Sequence, residues 1–316
     1  MSKPFIVVCD GMDKSVFEEL KNNENLEVHP SPKLTQEEIK ELLPKVNGLV
    51  IRSATKPNKE FIDLAPNLKY IIRAGEGTDN IDKTYCQEKG IKVSNTPGAN
   101  NNSAAEHALA LIMTVLRKTA SADASMKQGK WEKAQFTGNE LWKKTVGIMG
   151  FGRIGQILCK RLQGFEPNVL FFDPGIKESE FSYAKKVETL DELFSKSDII
   201  SIHTPLLDAT KGVVNSDLIG KMKSDAVLVN AARGKIVNED DLYTALKERT
   251  IKGAGFDVFA NEPLENESKL KELDNIVLTP HLGGSTEEAQ FRVGQMAASQ
   301  MVEFFVNDNL LNEVKA

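Results

Sequence analysis

Residues Thr145 to Gly155 read TVGIMGFGRIG, and their surroundings leave few folds open to the chain. A short apolar run, Val146 to Met149, leads into Gly150, Gly152 and Gly155. A helical pattern follows from Arg153 to Leu162, and a second apolar run, Val169 to Phe172, ends on Asp173. Strand, glycine turn, helix, strand and carboxylate in that order can hold a dinucleotide. Gly150 permits the tight turn, Gly152 lets the backbone approach a pyrophosphate, and Gly155 lets the helix pack close to the strand. The helix N-terminus points free N–H groups and a partial positive charge at the phosphates. Asp173 can accept both hydroxyls of an adenosine ribose, and its charge opposes a 2′-phosphate, so NAD is expected rather than NADP. A glycine turn alone is weak, since a tight strand-to-helix connection without a ligand reads the same way. The flanking strand, helix and acid together favour the dinucleotide.

At 316 residues the chain exceeds one typical domain, so two are expected. The net charge of −5 gives no reason to expect nucleic acid or an anionic membrane as partner. Cys9, Cys86 and Cys159 are far apart and form no CxxC pair. Cys9 and Cys159 fall in apolar-periodic segments and read as small core residues, which fits a reducing compartment. A strand-like run, Phe5 to Cys9, begins almost at once, with no export signal. The longest apolar helical stretch, Ala108 to Leu116, is too short to span a bilayer. A cytoplasmic protein with no membrane contact is expected. No His, Cys or carboxylate set has metal-ligand spacing, so no metal is expected.

Two βα series are legible, implying parallel sheets with helices on both faces, an α/β fold. The first has strand candidates at Phe5–Cys9, Gly48–Ile51, Tyr70–Arg73 and Lys92–Ser94, with a helix over Thr35–Leu43 opened by the capping box Thr35 to Glu38. Thr96-Pro97-Gly98 breaks the pattern and reads as a hinge. A long helix is expected from a second box, Ser103 to Glu106, followed by a polar excursion over residues 121–142 that contains Trp131 and Phe136. The second series offers six strands, near Val146–Met149, Val169–Phe172, Ile199–His203, Ala226–Asn230, Gly253–Asp257 and Asn275–Thr279, the count of a doubly wound dinucleotide domain. A last helix, from the box Ser285 to Glu288 to about Val306, lies beyond that series. Its return to the first domain would make that domain discontinuous, with a cleft between the two.

Ligands of open parallel sheets bind beyond the carboxyl ends of the strands. Arg233, Asp257, Glu262 and His281 follow consecutive strands there. For hydride transfer the cofactor carries the hydride, and the protein supplies orientation and a proton. Histidine has an intrinsic pKa near neutrality, and a carboxylate such as Glu262 raises it and fixes the tautomer. Arg233 can fork onto a substrate carboxylate or polarise the reacting carbonyl. Alone, such a His is more often a loop residue and such an Arg a surface cation. His107, inside an apolar helix, reads as a packed or interface residue, and His203, before Thr204 and Pro205, as a residue lining the cofactor side.

The segments GFGRIG at 150–155, HTPL at 203–206, NAARG at 230–234, DVFANEP at 257–263 and PHLGGST at 280–286 occur in order. Over nearly its whole length the chain resembles the D-isomer-specific 2-hydroxyacid dehydrogenases. The resemblance implies two doubly wound domains, a Rossmann-type NAD domain (99–284) inserted in a flavodoxin-like substrate domain (1–98 and 285–316). It implies that Arg233 binds substrate and that Glu262 and His281 form the acid/base pair. Asp257 matches the residue that binds the nicotinamide carboxamide. Arg153, Ile154, Asp173, Thr204, Ala231, Ala232 and Gly283 match cofactor-contacting positions, and Pro205 and Gly284 are grouped with them.

Within the family the chain is most similar to the phosphoglycerate dehydrogenase branch, on Ile51 to Thr55, Arg73-Ala-Gly75, Asp79 to Asp82 and Ser125 to Glu132. The implied substrate is 3-phosphoglycerate, oxidised with NAD at the start of serine synthesis. Arg52, Ser53, Arg73, Ala74 and Gly75 are the candidate substrate contacts, Arg52 and Arg73 for the phosphate; the alternative for either arginine is a structural ion pair. The family's equivalent of 121–142 packs across a dimer, which implies a homodimer through 103–142, with Lys130 or Lys133 reaching a partner's site. Two features depart from the pattern. Glu76 and Thr78 stand where the family carries small or β-branched residues; Glu76, grouped with the cofactor-side positions, is expected to shift specificity. The sequence ends at Ala316, where longer relatives add regulatory domains, so no serine feedback through such a domain is expected. Competing readings are a hydroxypyruvate or glyoxylate reductase with the same catalytic trio, and an NAD(H)-sensing, corepressor-like binding protein. Formate oxidation is disfavoured because its hydride step moves no proton.

Overall fold

Short strands, several of the central ones apolar and buried along their whole length, alternate with helices, and each of the two series forms one parallel sheet. In the computed structural model, which describes residues 2–316, the chain packs as two units. One comprises residues up to Asn100 together with 284–316, and the other residues 101–283.

The first unit contains β1 (Phe5–Val8), β2 (Glu27–Val28), β3 (Gly48–Ile51), β4 (Tyr70–Arg73) and β5 (Lys92–Asn95) in the order β2-β1-β3-β4-β5. The order reverses between β1 and β3, the switch point of a flavodoxin-like sheet. The helix Gln36–Leu42 carries the Thr35–Glu38 capping box in full. The last helix, Glu287–Val306, lays Val293, Ala297 and Met301 into a core with Ile6, Val8, Tyr70 and Ile72. It reaches β3 because position 48 has no side chain. A Cβ on Gly48 would sit 2.7 Å from the Phe305 ring and 2.8 Å from both Ile6 and Met301.

The second unit contains β6 (Thr145–Met149), β7 (Asn168–Phe172), β8 (Ala184–Lys186), β9 (Ile199–Ile202), β10 (Val227–Asn230), β11 (Gly253–Phe256) and β12 (Ile276–Leu278). Their order is β12-β11-β10-β9-β6-β7-β8, a Rossmann-type sheet that reverses between β6 and β9. The helix Asn101–Arg117 packs against the helix Arg153–Leu162 and over β10 and β11. Gly255 admits it closely, since a Cβ there would lie 3.2 Å from Leu111 and 3.3 Å from Val115.

Several local expectations are corrected. The second sheet has seven strands rather than six, because β8 is a three-residue edge strand whose Ala-Lys-Lys sequence carries no apolar run. The sequence also gave no sign of β2, only two residues long. The box expected at Ser103 does not form. The helix already starts at Asn101, Ser103 is buried inside it, and Glu106 reaches Arg161 at 3.6 Å. The last helix is capped by Thr286, whose Oγ1 accepts from Ala289 N at 3.1 Å, one residue later than expected. The polar excursion over 121–142 contains most of a helix, Thr119–Lys127, and a 3-10 turn, Lys133–Phe136, with Trp131 81% exposed. Among the described residues no helix is long and apolar enough to cross a membrane.

Candidate active site

The glycine turn sits at the switch point of the second sheet. Gly150 has φ +90°, and a Cβ on it would lie 2.7 Å from the backbone of His203 and Thr204, at the end of β9. A Cβ on Gly155 would lie 2.3 Å from the Gly150 carbonyl oxygen. Gly152 is different, with nothing within 4 Å of its would-be Cβ. Two glycines are thus demanded by the protein itself, and the third borders open space at a helix N-terminus, where a phosphate can approach. Phe151 anchors the turn from inside; it is 1% exposed and stacks on Phe171 with ring centres 4.0 Å apart.

Asp173, at the end of β7, also serves the turn. Its Oδ2 accepts from Phe151 N at 2.8 Å, and its Oδ1 from Gly175 N at 2.8 Å and Ile176 N at 3.2 Å. Arg153 and Ile154 open the following helix, Arg153 exposed and Ile154 half-buried. His203 Nε2 lies 2.8 Å from Ser201 Oγ, and burial pushes the imidazole down to about 4, so the ring is neutral at physiological pH. Thr204 is half-buried and Pro205 exposed. These residues fit a dinucleotide: open backbone at the phosphate position, a close-packed turn and a carboxylate at the end of the second strand.

The ends of β10, β11 and β12 bring the acid/base candidates together. After β10, Asn230 Oδ1 accepts from Ala232 N and its Nδ2 donates to the Arg233 carbonyl, curling Ala231 and Ala232 into a turn. Arg233 Nη1 donates to the Ala232 carbonyl at 2.7 Å. Gly234 then presses onto the loop after β11, where a Cβ would stand 1.9 Å from Phe259 C. In that loop Glu262 Oε1 accepts from Phe259 N at 3.0 Å, and its Oε2 lies 2.7 Å from His281 Nδ1. Burial works to raise the Glu262 carboxyl, but its bonds from His281 and Phe259 N outweigh it and hold the group below its ordinary range. The pair is partly open to solvent, with the His281 side chain 41% exposed. An ionised Glu262 accepts the Nδ1 proton, which leaves Nε2 as the ring nitrogen able to exchange a proton.

His281 sits at φ +56°, an unusual conformation for a non-glycine residue. Asp257 holds it there. The Asp257 carbonyl accepts from His281 N at 2.9 Å. Its Oδ1 accepts from Leu282 N at 2.7 Å and Thr279 Oγ1 at 2.6 Å, and its Oδ2 from Gly283 N at 2.8 Å. His107 Nε2 lies 3.1 Å from the same Oδ1. Asp257 is fully buried; burial alone would raise its carboxyl, but bonds from His107, Thr279 and Leu282 N prevail and lower it.

The remaining candidates lie in the first unit, on its own sheet. Asp10, after β1, accepts from Arg52 N at 2.6 Å and from Thr55 N and Oγ1, shaping the loop after β3. Arg52 donates to Gln290 Oε1 in the last helix, and Ser53 is exposed. Arg73 folds back over Gly75 and donates to the Ala74 carbonyl; a Cβ on Gly75 would collide with its guanidinium at 1.4 Å. Ala74 and Gly75 are buried. The Glu76 carboxylate accepts from Gly98 N at 2.7 Å and its carbonyl from Asn95 Nδ2 at 2.6 Å, so this departure from the family pattern ties the loop after β4 to the one after β5.

Residues 109–283 match the family model described as the D-isomer specific 2-hydroxyacid dehydrogenase NAD binding domain. The chain is 44% identical over 296 residues to a hydroxypyruvate reductase of Thermotoga maritima, covering 93% of this chain and 96% of that one. The chain belongs to the D-isomer-specific 2-hydroxyacid dehydrogenase family. A D-3-phosphoglycerate dehydrogenase of Archaeoglobus fulgidus is 41% identical over 94% of this chain, which spans only 56% of that protein. In structure, an NAD-dependent formate dehydrogenase of Staphylococcus aureus in complex with NAD superposes with a TM-score of 0.87 at 30% identity, over 100% of this chain and 99% of that one. The family's cofactor domain is therefore present, and it is an NAD-binding domain.

Sequence reasoning missed the supporting residues of this family site. Thr279, Asn230 and Glu239 (whose carboxylate accepts from Ala260 N) hold the three loops in place. Thr279 was detectable as a hydroxyl two residues before His281; Glu239, far along the chain, gave no signal. Burial, with acidic neighbours that include Glu262, raises the Glu239 carboxyl.

Proposed function

We propose that the chain interconverts 3-phosphoglycerate and 3-phosphohydroxypyruvate with NAD. The hydrogen bond between His281 Nδ1 and Glu262 is the observation that supports acid/base chemistry at this site. Residues 99–284 hold NAD, through Gly150, Gly152, Gly155, Asp173 and the loop ends near Thr204, Ala231 and Gly283, and Asp257 is assigned to the nicotinamide carboxamide. NAD, when bound, supplies the hydride acceptor. His281 takes the hydroxyl proton at Nε2 during oxidation and returns it during reduction. Glu262 stabilises the imidazolium that forms and holds its orientation. Arg233 binds the carboxylate end of the substrate by charge-assisted hydrogen bonds. The domain of residues 1–98 and 285–316 supplies Arg52 and Arg73 for the phosphate, and a homodimer through 103–142 in the cytoplasm completes the reading.

A second reading, reduction of hydroxypyruvate, draws on two observations. The Thermotoga relative of that name matches over 93% of this chain and 96% of its own length. Arg52 already donates a hydrogen bond to Gln290, a neutral partner rather than the ion pair weighed as the alternative for that arginine. The deciding assay follows NADH consumption with the phosphorylated and unphosphorylated substrate side by side, in wild type and in Arg52→Ala and Arg73→Ala. A preference for the phosphorylated substrate that collapses in either variant supports the first reading. Equal or reversed preference in the wild type supports the second. Independently of substrate, His281→Asn is expected to lower turnover by about 10²–10⁴-fold while NADH still binds, as followed by its fluorescence; retained turnover would remove His281 from the chemistry.

A further inference from the structure

We propose that His107 is a positioning residue for this reaction: by donating a hydrogen bond to the buried Asp257 carboxylate, it fixes the turn that presents His281. The proposal rests on the acid/base reading of His281 and Glu262 given above.

His107 lies inside the helix Asn101–Arg117, on the side that packs over the sheet, and its side chain is only 18% exposed. Its Nε2 stands 3.1 Å from Asp257 Oδ1 and 3.0 Å from Thr279 Oγ1. The direction of these bonds follows from counting protons. The Thr279 hydroxyl hydrogen is committed to Asp257, at 2.6 Å. An ionised carboxylate only accepts. Both atoms facing Nε2 are therefore acceptors, so Nε2 carries a proton and donates.

Asp257 is fully buried and is the hub of the loop it holds. It takes the N–H groups of His281, Leu282 and Gly283 in succession, the first on its carbonyl and the other two on its carboxylate. A turn with a non-glycine residue at φ +56° persists only where its surroundings over-determine it. Removing the His107 donor leaves a buried charge under-satisfied. The carboxylate then shifts or takes a proton, and either change weakens its hold on two of the three N–H groups. His107 contacts neither substrate nor cofactor in this account; its effect is exerted through where the His281 ring stands.

The test compares His107→Leu with His107→Gln, whose side-chain amide can supply a donor near the Nε2 position. NADH-dependent turnover, the KM for the 2-oxo acid, NADH affinity by fluorescence and thermal unfolding are measured on each, with His281→Asn in parallel. The expected result is a fall of about 10–100-fold in kcat for His107→Leu, the size of effect that a misplacement near 1 Å can produce. KM should stay within about threefold, NADH affinity, to which Asp257 is also assigned, should fall by clearly less than kcat, and His107→Gln should recover most of the loss. Wild-type kcat in His107→Leu overturns the proposal. So does an equal loss in both variants with the fold and NADH binding intact, and so does a loss in NADH affinity alone. Should His107→Leu not fold, the folded Gln variant decides: near-normal kcat supports a donor role, and a fall as large as that expected for Leu overturns it. Retained turnover in His281→Asn would instead sink the acid/base reading beneath the proposal, whatever the His107 variants do.

Discussion

At the scale of single residues, burial sets protonation as much as chemistry does. His203 is the clearest case, since burial lowers its pKa to about 4, against about 6.5 in an unfolded chain. Above pH 6.5 the ring is neutral in both states, and the full contribution to stability is present. As pH falls from 6.5 towards 4 the unfolded chain takes up the proton first, so stability is lost through that window and no further below it. Allowing for the partial exposure of the residue, the loss should be on the order of 2 kcal/mol. Chemical denaturation at pH 7.5 and 4.5 checks it. The pH-dependent loss should be smaller in His203→Asn than in wild type, and an identical loss would mean that this ring titrates normally. Asp257 shows the opposite resolution: a carboxylate buried more completely still stays charged because donors surround it.

At the scale of elements, contacts between loops decide what the strands can present. Gly234 lets the turn bearing Arg233 lie against the loop bearing Glu262. Gly234→Ala would force backbone apart at a 1.9 Å contact, so we expect a loss of at least about 2 kcal/mol in stability and a fall in kcat. Wild-type melting and turnover would show that the loops can separate without consequence. The same scale separates what the sequence revealed from what it hid. β3, β4 and β10 announce themselves as apolar runs because both faces of a central parallel strand are buried. β2 and β8 stayed hidden because short edge strands need no such run. The Ser103 box failed because its letters also suit the interior of a helix that begins earlier, at Asn101. At the candidate site, residue type and position after a strand singled out Arg233, Glu262 and His281. The ties of Asp173 to Phe151 N and of Glu76 to Gly98 N were invisible, since they join segments whose proximity only the fold creates.

For the molecule as a whole, the first unit is assembled from both ends of the chain. Met301, fully buried in the last helix, shares a core with Ile6 and Val8 near the beginning. Met301→Ala should cost about 2–5 kcal/mol, and the cost should fall on one unit. Hydrogen exchange read by mass spectrometry is expected to quicken in peptides from residues 2–100 and 284–316 and to hold steady in 101–283. Uniform quickening would mean that the two units open together. The assembly from both ends also constrains how the protein is made. On the ribosome, β1, β3 and β4 emerge early, yet the helix that covers Ile6, Val8, Tyr70 and Ile72 is synthesised only after the whole of residues 101–283. At roughly 5–20 residues per second the nascent chain waits on the order of ten seconds or more with that apolar face uncovered. Residues 101–283, which carry core clusters of their own, can collapse during the wait. The early strands therefore need either a chaperone or an incomplete, reversible collapse until that helix emerges to cover them.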